Sequence, residues 1–152
     1  MLEQSDIVHV LIFMDEYVDY YRSLVKQKFN LEEMNMIKIG LLGVGSVGDL
    51  HKWAIDEHPE CELTAICNRT ISKAEKMAEG TSIRCYSDYK EMMKQEELDA
   101  VIVNLPHDMH HDVTNYILNC GVSVLVEKPM AMNVAECDSM IETAKKNGVV
   151  FF

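Results

Sequence analysis

Ile39-Gly40-Leu41-Leu42-Gly43-Val44-Gly45-Ser46-Val47-Gly48 is the stretch that decides the fold. Gly43, Gly45 and Gly48 stand at G-x-G-x-x-G spacing. An apolar run from Ile37 to Leu42 precedes them, and a helix-like run from Asp49 to Glu57 follows. Strand, glycine turn and helix in that order are the context in which the spacing gains meaning. Gly43 permits a tight turn, Gly45 lets the backbone approach a pyrophosphate, and Gly48 lets the helix pack closely on the strand. A pyrophosphate then rests at the helix N-terminus, where unpaired N–H groups and the helix dipole favour an anion. Val44, Ser46 and Val47 complete this expected cofactor-binding turn. The plainer alternative is a glycine turn that serves only the fold.

Beyond the turn, strand and helix patterns alternate. Pro59 stops the first helix, and Glu62–Cys67 reads as a second strand. Ser72–Glu79 reads as a helix ended by Gly80. Ile83–Tyr86 is a short strand, and Ser87 is placed to cap a helix over Asp88–Gln95. Ala100–Leu105 is a near-continuous apolar run, hence a buried strand. A helix follows over Asp108–Asn119 and ends at Gly121, and a strand follows over Val122–Val126. The last helix, Val134–Asn147, is flanked by Asn133 as N-cap and by Gly148, and Val149–Phe152 begins a sixth strand. The pattern predicts an α/β fold, a doubly wound parallel sheet of Rossmann type with right-handed crossovers.

Composition bounds the partners. The 152 residues are 48% hydrophobic and 26% charged, enough to bury a core, with a formal net charge of −11. That balance argues against nucleic acid or an anionic membrane as partner. Cys61, Cys67, Cys85, Cys120 and Cys137 form no C-x-x-C pair and are odd in number, which suits free thiols in a reducing compartment. Ile7–Met14 contains His9 and is too short to span a bilayer or act as a signal, so a cytoplasmic protein is expected.

Residues 1–36 precede the first strand and form a separate region from 37–152. Ile7, Leu11, Met14, Val18, Tyr21 and Val25 recur at alternating spacings of four and three, an apolar stripe on a helical extension. It reads as a docking helix, or as one that packs on this same domain. Met34 and Met36 are further possible starts. At the other end the sequence runs to Phe152, inside or just at the end of a strand, and no second domain is expected within these residues.

Three strand ends carry candidate chemistry, because ligands of open α/β sheets bind outside the carboxyl ends of the strands. The second ends in Cys67-Asn68-Arg69-Thr70. No acid is present to take a ribose 2′-hydroxyl. Arg69 suits a 2′-phosphate, and Thr70 and Ser72 add hydroxyls, which favours NADP over NAD; the plainer alternative is a solvated arginine. The fourth ends in Asn104-Leu105-Pro106-His107-Asp108-Met109-His110-His111. His110 is expected to contact cofactor or substrate, and His107 and Asp108 to line the crevice or cap the next helix. His110 and His111 diverge on a helix and lack further ligands at a suitable spacing, so no metal is expected. The fifth ends in Val126-Glu127-Lys128-Pro129. Lys128 can move a proton or hold the nicotinamide, and Glu127 can hold a hydroxyl or orient the lysine. The alternative is a surface ion pair.

Taken together, Ile39–Gly48 with His51 after it, Asp99-Ala100-Val101-Ile102-Val103, Pro106 with His110, and Gly121 to Pro129 ending in Glu-Lys-Pro resemble the N-terminal domain of the glucose–fructose oxidoreductase and inositol dehydrogenase (Gfo/Idh/MocA) family. The resemblance runs from about Ile37 to Phe152. It implies an NAD(P)-dependent oxidoreductase acting on sugars, cyclitols and related alcohols. It implies that Gly43, Gly45 and Gly48 carry the pyrophosphate and that Arg69 sits by the adenosine ribose. Pro106 and His110 then line the crevice, Lys128 lies by the nicotinamide as the catalytic residue, and the Lys128–Pro129 peptide is often cis. Members of the family continue into a second, substrate-binding domain. Leu105 and His107 depart from the small residue and the asparagine often found around the proline, and the N-terminal extension is not a usual feature.

Two functions follow as expectations. One is the cofactor-binding domain of such an oxidoreductase, inactive alone, with a polyol or sugar-like substrate bound once a second domain is supplied. The other is a non-catalytic dinucleotide-binding regulatory or interaction module. Apolar surface left for a second domain favours self-association into a homo-oligomer.

Overall fold

The computed structural model describes residues 36–152. The helical extension expected over 1–36, with its stripe from Ile7 to Val25, lies outside the described residues. Five strands, β1 (Ile37–Leu42), β2 (Cys61–Cys67), β3 (Arg84–Tyr86), β4 (Ala100–Val103) and β5 (Ser123–Val126), alternate with five helices. The helices are α1 (Ser46–Glu57), α2 (Ile71–Met77), α3 (Tyr89–Gln95), α4 (His107–Asn119) and α5 (Val134–Asn147).

All strand pairs are parallel, in the order β3-β2-β1-β4-β5. The order reverses between β1 and β4, which opens a crevice at their carboxyl ends. The strands read as continuous apolar runs because both faces of the sheet are covered. Ile39, Leu41 and Ile66 pack with Ile55 of α1 and Ala74 of α2 on one face. Leu42, Val101 and Val103 pack with Met92 of α3, Val113 and Ile117 of α4 and Met140 of α5 on the other. Leu41 and Leu42 are neighbours in the chain and both fully buried, yet they serve opposite cores, as the two-residue period of a strand requires. This is the doubly wound fold.

The ends of elements show where local pattern misleads. The cap of α3 is Asp88, not Ser87: its carboxylate accepts from the N–H of Lys90 at 2.7 Å and of Glu91 at 3.4 Å. Its charge also suits the positive end of the helix. Pro106 occupies the N-cap of α4 without a side-chain cap, so neither His107 nor Asp108 caps it. Proline fixes its own φ and sets the first turn from outside, which puts His107 inside the helix. α1 begins at Ser46 rather than Asp49, because the glycine turn winds straight into it. The expected sixth strand is a single parallel bridge, Phe151 beside Val124 of β5. α5 has its expected bounds, with Asn133 Oδ1 accepting from Glu136 N–H at 3.0 Å and Gly148 in the left-handed region.

Among the cysteines, Cys67 is buried and Cys120 exposed. Among the described residues no helix is long and apolar enough to cross a membrane.

Candidate functional site

The glycine turn stands at the mouth of the crevice, and its three glycines do different work. Gly43 has φ 95°, and a Cβ there would lie 2.0 Å from the Asn104 carbonyl oxygen, so only glycine fits. A Cβ on Gly48 would lie 2.7 Å from the Gly43 carbonyl oxygen, so this glycine lets α1 close onto the turn. Gly45 is unlike both. Its backbone is extended, at φ −142° and ψ −171°, and a Cβ would meet nothing within 4 Å. No contact within the fold requires glycine at Gly45. Gly45 is the N-cap of α1, and no side chain caps that helix. Its first-turn N–H groups are left for an acceptor from outside. The residues present therefore fit a dinucleotide pyrophosphate.

Two asparagines hold the turn. Asn68, after β2, accepts the Val44 N–H with Oδ1 at 3.3 Å and donates Nδ2 to the Thr70 carbonyl at 2.9 Å. The carboxamide at the ribose-reading end of β2 is thus engaged with backbone, while Arg69 and Thr70 beside it are exposed. Asn104, after β4, donates Nδ2 to the Gly43 carbonyl at 3.4 Å. It is a site residue that sequence reasoning passed over, although a polar side chain directly after an apolar strand at the switch point was its signal.

On the other wall, Leu105 is half-buried and Pro106 and His107 are exposed. His110 is 0% exposed. Its Nδ1 lies 3.0 Å from the Pro129 carbonyl oxygen and its Nε2 2.8 Å from that of Leu105. The ring sits between two loops, where its neutral form can donate its one N–H to either carbonyl, and the His107 ring stacks edge-on against it, at 5.6 Å between centroids. His111 turns elsewhere, with Nδ1 2.8 Å from Asp112 Oδ1 and Nε2 3.3 Å from Ser139 Oγ.

The third wall is the turn after β5. Glu127 donates its N–H to the Val103 carbonyl at 3.0 Å, extending the β4–β5 ladder by one residue. Its carboxylate does not pair with Lys128. Oε1 lies 2.8 Å from Nε2 of His51 on α1, and Oε2 accepts the Lys128 backbone N–H at 3.2 Å. His51, absent from the expected site residues, is therefore part of it. The Lys128–Pro129 peptide is cis. Lys128 is exposed, and among the described residues its ammonium forms no ion pair.

These contacts close a ring around the crevice. It runs from the glycine turn through α1 and His51 to Glu127 and Pro129, then through His110 and Leu105 to Asn104 and back to Gly43. Arg69 and Thr70 stand at one end and Lys128 at the other.

Comparison with known proteins agrees with this geometry. Inositol 2-dehydrogenase of Salmonella typhimurium is 29% identical over 115 residues, 74% of this chain and 34% of that enzyme. The scyllo-inositol 2-dehydrogenase (NADP(+)) of Bacillus subtilis is 33% identical over 116 residues, 76% of this chain and 35% of that enzyme. Among solved structures, the WlbA dehydrogenase of Bordetella pertussis, in complex with NADH and UDP-GlcNAcA, matches with a TM-score of 0.74 at 28% identity. The match covers 78% of this chain and 36% of that one. The chain thus spans about a third of the length of the relatives it matches. Residues 37–152 match the family described as GFO_IDH_MocA, an oxidoreductase family with an NAD-binding Rossmann fold, and the chain belongs to that family.

Proposed function

We propose that this chain is the cofactor-binding part of an NAD(P)-dependent oxidoreductase acting on a sugar, cyclitol or related alcohol or carbonyl. The observation that carries the reading is Gly45, a glycine that no neighbour within the protein demands, at the uncapped start of α1. The backbone from Gly43 to Gly48 holds the pyrophosphate. Arg69 and Thr70 hold the adenosine end, and the guanidinium of Arg69, with no acid beside it, favours NADP over NAD. Leu105, Pro106, His107 and Pro129 form the walls, and Asn68 and His110 hold the loops in place.

The bound dinucleotide supplies the hydride donor or acceptor. Lys128 moves the proton: as the neutral amine its Nζ takes it from the substrate hydroxyl on oxidation, and as the ammonium it returns it to the carbonyl oxygen on reduction. Its side chain is exposed and free to reach a ligand, on a backbone whose N–H is held by Glu127. Substrate contacts come from sequence that the relatives carry beyond the matched third, so these residues bind dinucleotide but turn over poorly on their own. Leu50 and Trp53, 39% and 44% exposed on α1, offer a surface for self-association.

Calorimetric titration with NADPH and NADH tests this. NADPH is expected to bind more tightly, and Arg69→Ala to lower NADPH affinity about tenfold, the loss of one charge-assisted contact, while sparing NADH. Gly45→Val is expected to abolish binding of both while the protein stays folded, at a cost of about 1 kcal/mol from the poorer N-cap. Failure of the unaltered chain to bind either dinucleotide overturns the reading, and equal losses for Arg69→Ala overturn the NADP preference.

A further inference from the structure

His51 lies in the body of α1, beyond the glycine turn, with its side chain 11% exposed. Its Nε2 meets a Glu127 carboxylate that is itself only 24% exposed, at 2.8 Å. A carboxylate so far withdrawn from water needs donors, and here each oxygen has one: the imidazole at Oε1 and the Lys128 N–H at Oε2. Glu127 N–H is fixed on Val103, and with the ring proton on Nδ1, His110 donates to the Pro129 carbonyl, so the backbone on both sides of Lys128 is placed. Only the four-carbon stem of the lysine is left to swing. The helix that supplies His51 also carries the pyrophosphate turn at its start. One side-chain pair therefore ties the anion-binding end of the crevice to the lysine end.

We infer that His51 is a positioning residue for Lys128, acting through Glu127. The inference rests on the proposed dinucleotide reading for its effect on binding. A lysine loses much rotamer freedom when it is fixed on a ligand, and a root already held reduces what remains to be ordered. Without the imidazole, Glu127 loses its anchor on α1. The Lys128 N–H then loses a fixed acceptor, and the ammonium is presented over a wider range of directions. The pyrophosphate turn does not depend on this pair, since Asn68 and Asn104 hold it.

That separation gives the test. NADPH reaches the lysine end of the crevice, whereas 2′-phospho-ADP-ribose has the same adenosine and pyrophosphate groups but no nicotinamide. In titrations of the full chain, His51→Leu is expected to bind NADPH about tenfold more weakly, the loss of one hydrogen bond to a charged group. Its affinity for 2′-phospho-ADP-ribose is expected to stay within about twofold. His51→Gln, whose side-chain amide can still donate to Glu127, is expected to recover most of the loss. Glu127→Gln, a smaller change should His51→Leu not fold, is expected to show the same split. Equal losses for both ligands make His51 a plain structural strut and overturn the inference, as does unchanged NADPH binding. Amide hydrogen exchange at Lys128, measured without ligand, separates this from failure of the dinucleotide reading. Exchange should speed up about tenfold in His51→Leu and slow again in His51→Gln, in line with loss and return of one hydrogen bond. If the unaltered chain binds neither ligand, the dinucleotide reading fails. Unchanged exchange in His51→Leu overturns the tie itself, whatever the titrations give.

Discussion

The five helices of the described residues begin in two ways. α3 and α5 start under a side-chain oxygen, from Asp88 and Asn133. α1, α2 and α4 start under Gly45, Thr70 and Pro106 with no side-chain cap at all. The division follows the sheet. The capped helices come after the outer strands β3 and β5, and the uncapped ones after the central strands β2, β1 and β4, whose ends frame the crevice. A side-chain cap contributes about 1 kcal/mol, so its absence at three adjacent helix starts gives up stability. At the edges the chain satisfies its own N–H groups. Around the crevice, no side chain caps the helix starts.

The largest expected effect is on the fold. Gly43→Ala forces a side chain onto a φ of 95° and against the Asn104 carbonyl. It should cost about 3 kcal/mol or more in denaturant unfolding. A mild loss would mean that the β1–β4 crossing is looser than its geometry implies. Next comes Gly45→Asp, which gives α1 the kind of cap that α3 has. Its extended backbone and open Cβ position accept the change. Stability should hold or rise by a few tenths of a kcal/mol, roughly the preference for Asp over Gly at an N-cap. NADPH affinity should fall by about a hundredfold or more as a carboxylate meets the pyrophosphate. Retained affinity would place α1 with α3 and α5 and remove the distinction. Asp88→Ala and Asn133→Ala are expected to cost about 1 kcal/mol each and to leave NADPH affinity alone. A loss of affinity from either would extend the ligand's reach to the outer strands.

The sequence makes one half of this comparison easier to read than the other. β1 and α5 have their expected bounds, because an apolar run ending at a glycine turn, and a helix between Asn133 and Gly148, are signals carried by neighbouring residues. Ser87 and Asp88 are both good caps standing side by side, and only the direction of the chain leaving β3 chooses between them. The glycine turn is legible because its spacing is local. The ring around the crevice is not. His51 meets Glu127 and Asn104 meets Gly43 across more than sixty residues, and one sequence holds no record of such pairings. The burial of His110 is hidden for a second reason: its two partners are carbonyl oxygens of Leu105 and Pro129, and a backbone atom leaves no mark in residue type.

The smallest effect at neutral pH concerns the capped side and grows with alkali. Glu96, buried at the end of α3, accepts from both Arg84 and Tyr86, so the β3–α3 unit is fastened at its far end as well as by Asp88 at its start. Burial, followed by the bond to Glu96, pushes the Tyr86 phenol up to about 12. Burial, followed by the charge of Asp88, pushes the Cys67 thiol up to about 12 as well. Both folded-state values exceed those of the unfolded chain, near 10 and 9. The folded protein therefore keeps these protons after the unfolded chain has released them. The stability they contribute is fully present below about pH 9 and is lost as the pH rises toward 12, at up to about 1.4 kcal/mol per pH unit for each group. Melting temperatures taken from pH 8 upward should fall first with the thiol and then with the phenol. Cys67→Ala should flatten the earlier part of that fall, and Tyr86→Phe the later part. Asp88→Ala should shrink the thiol's share of the loss without moving its onset, because it removes one of the two causes that raise the folded Cys67 while the unfolded thiol stays near 9, so the same carboxylate that caps α3 would be read a second time by a measurement that does not involve the helix. An unfolding curve indifferent to all three changes would mean that the outer strands are not held by the bonds that distinguish them from the crevice.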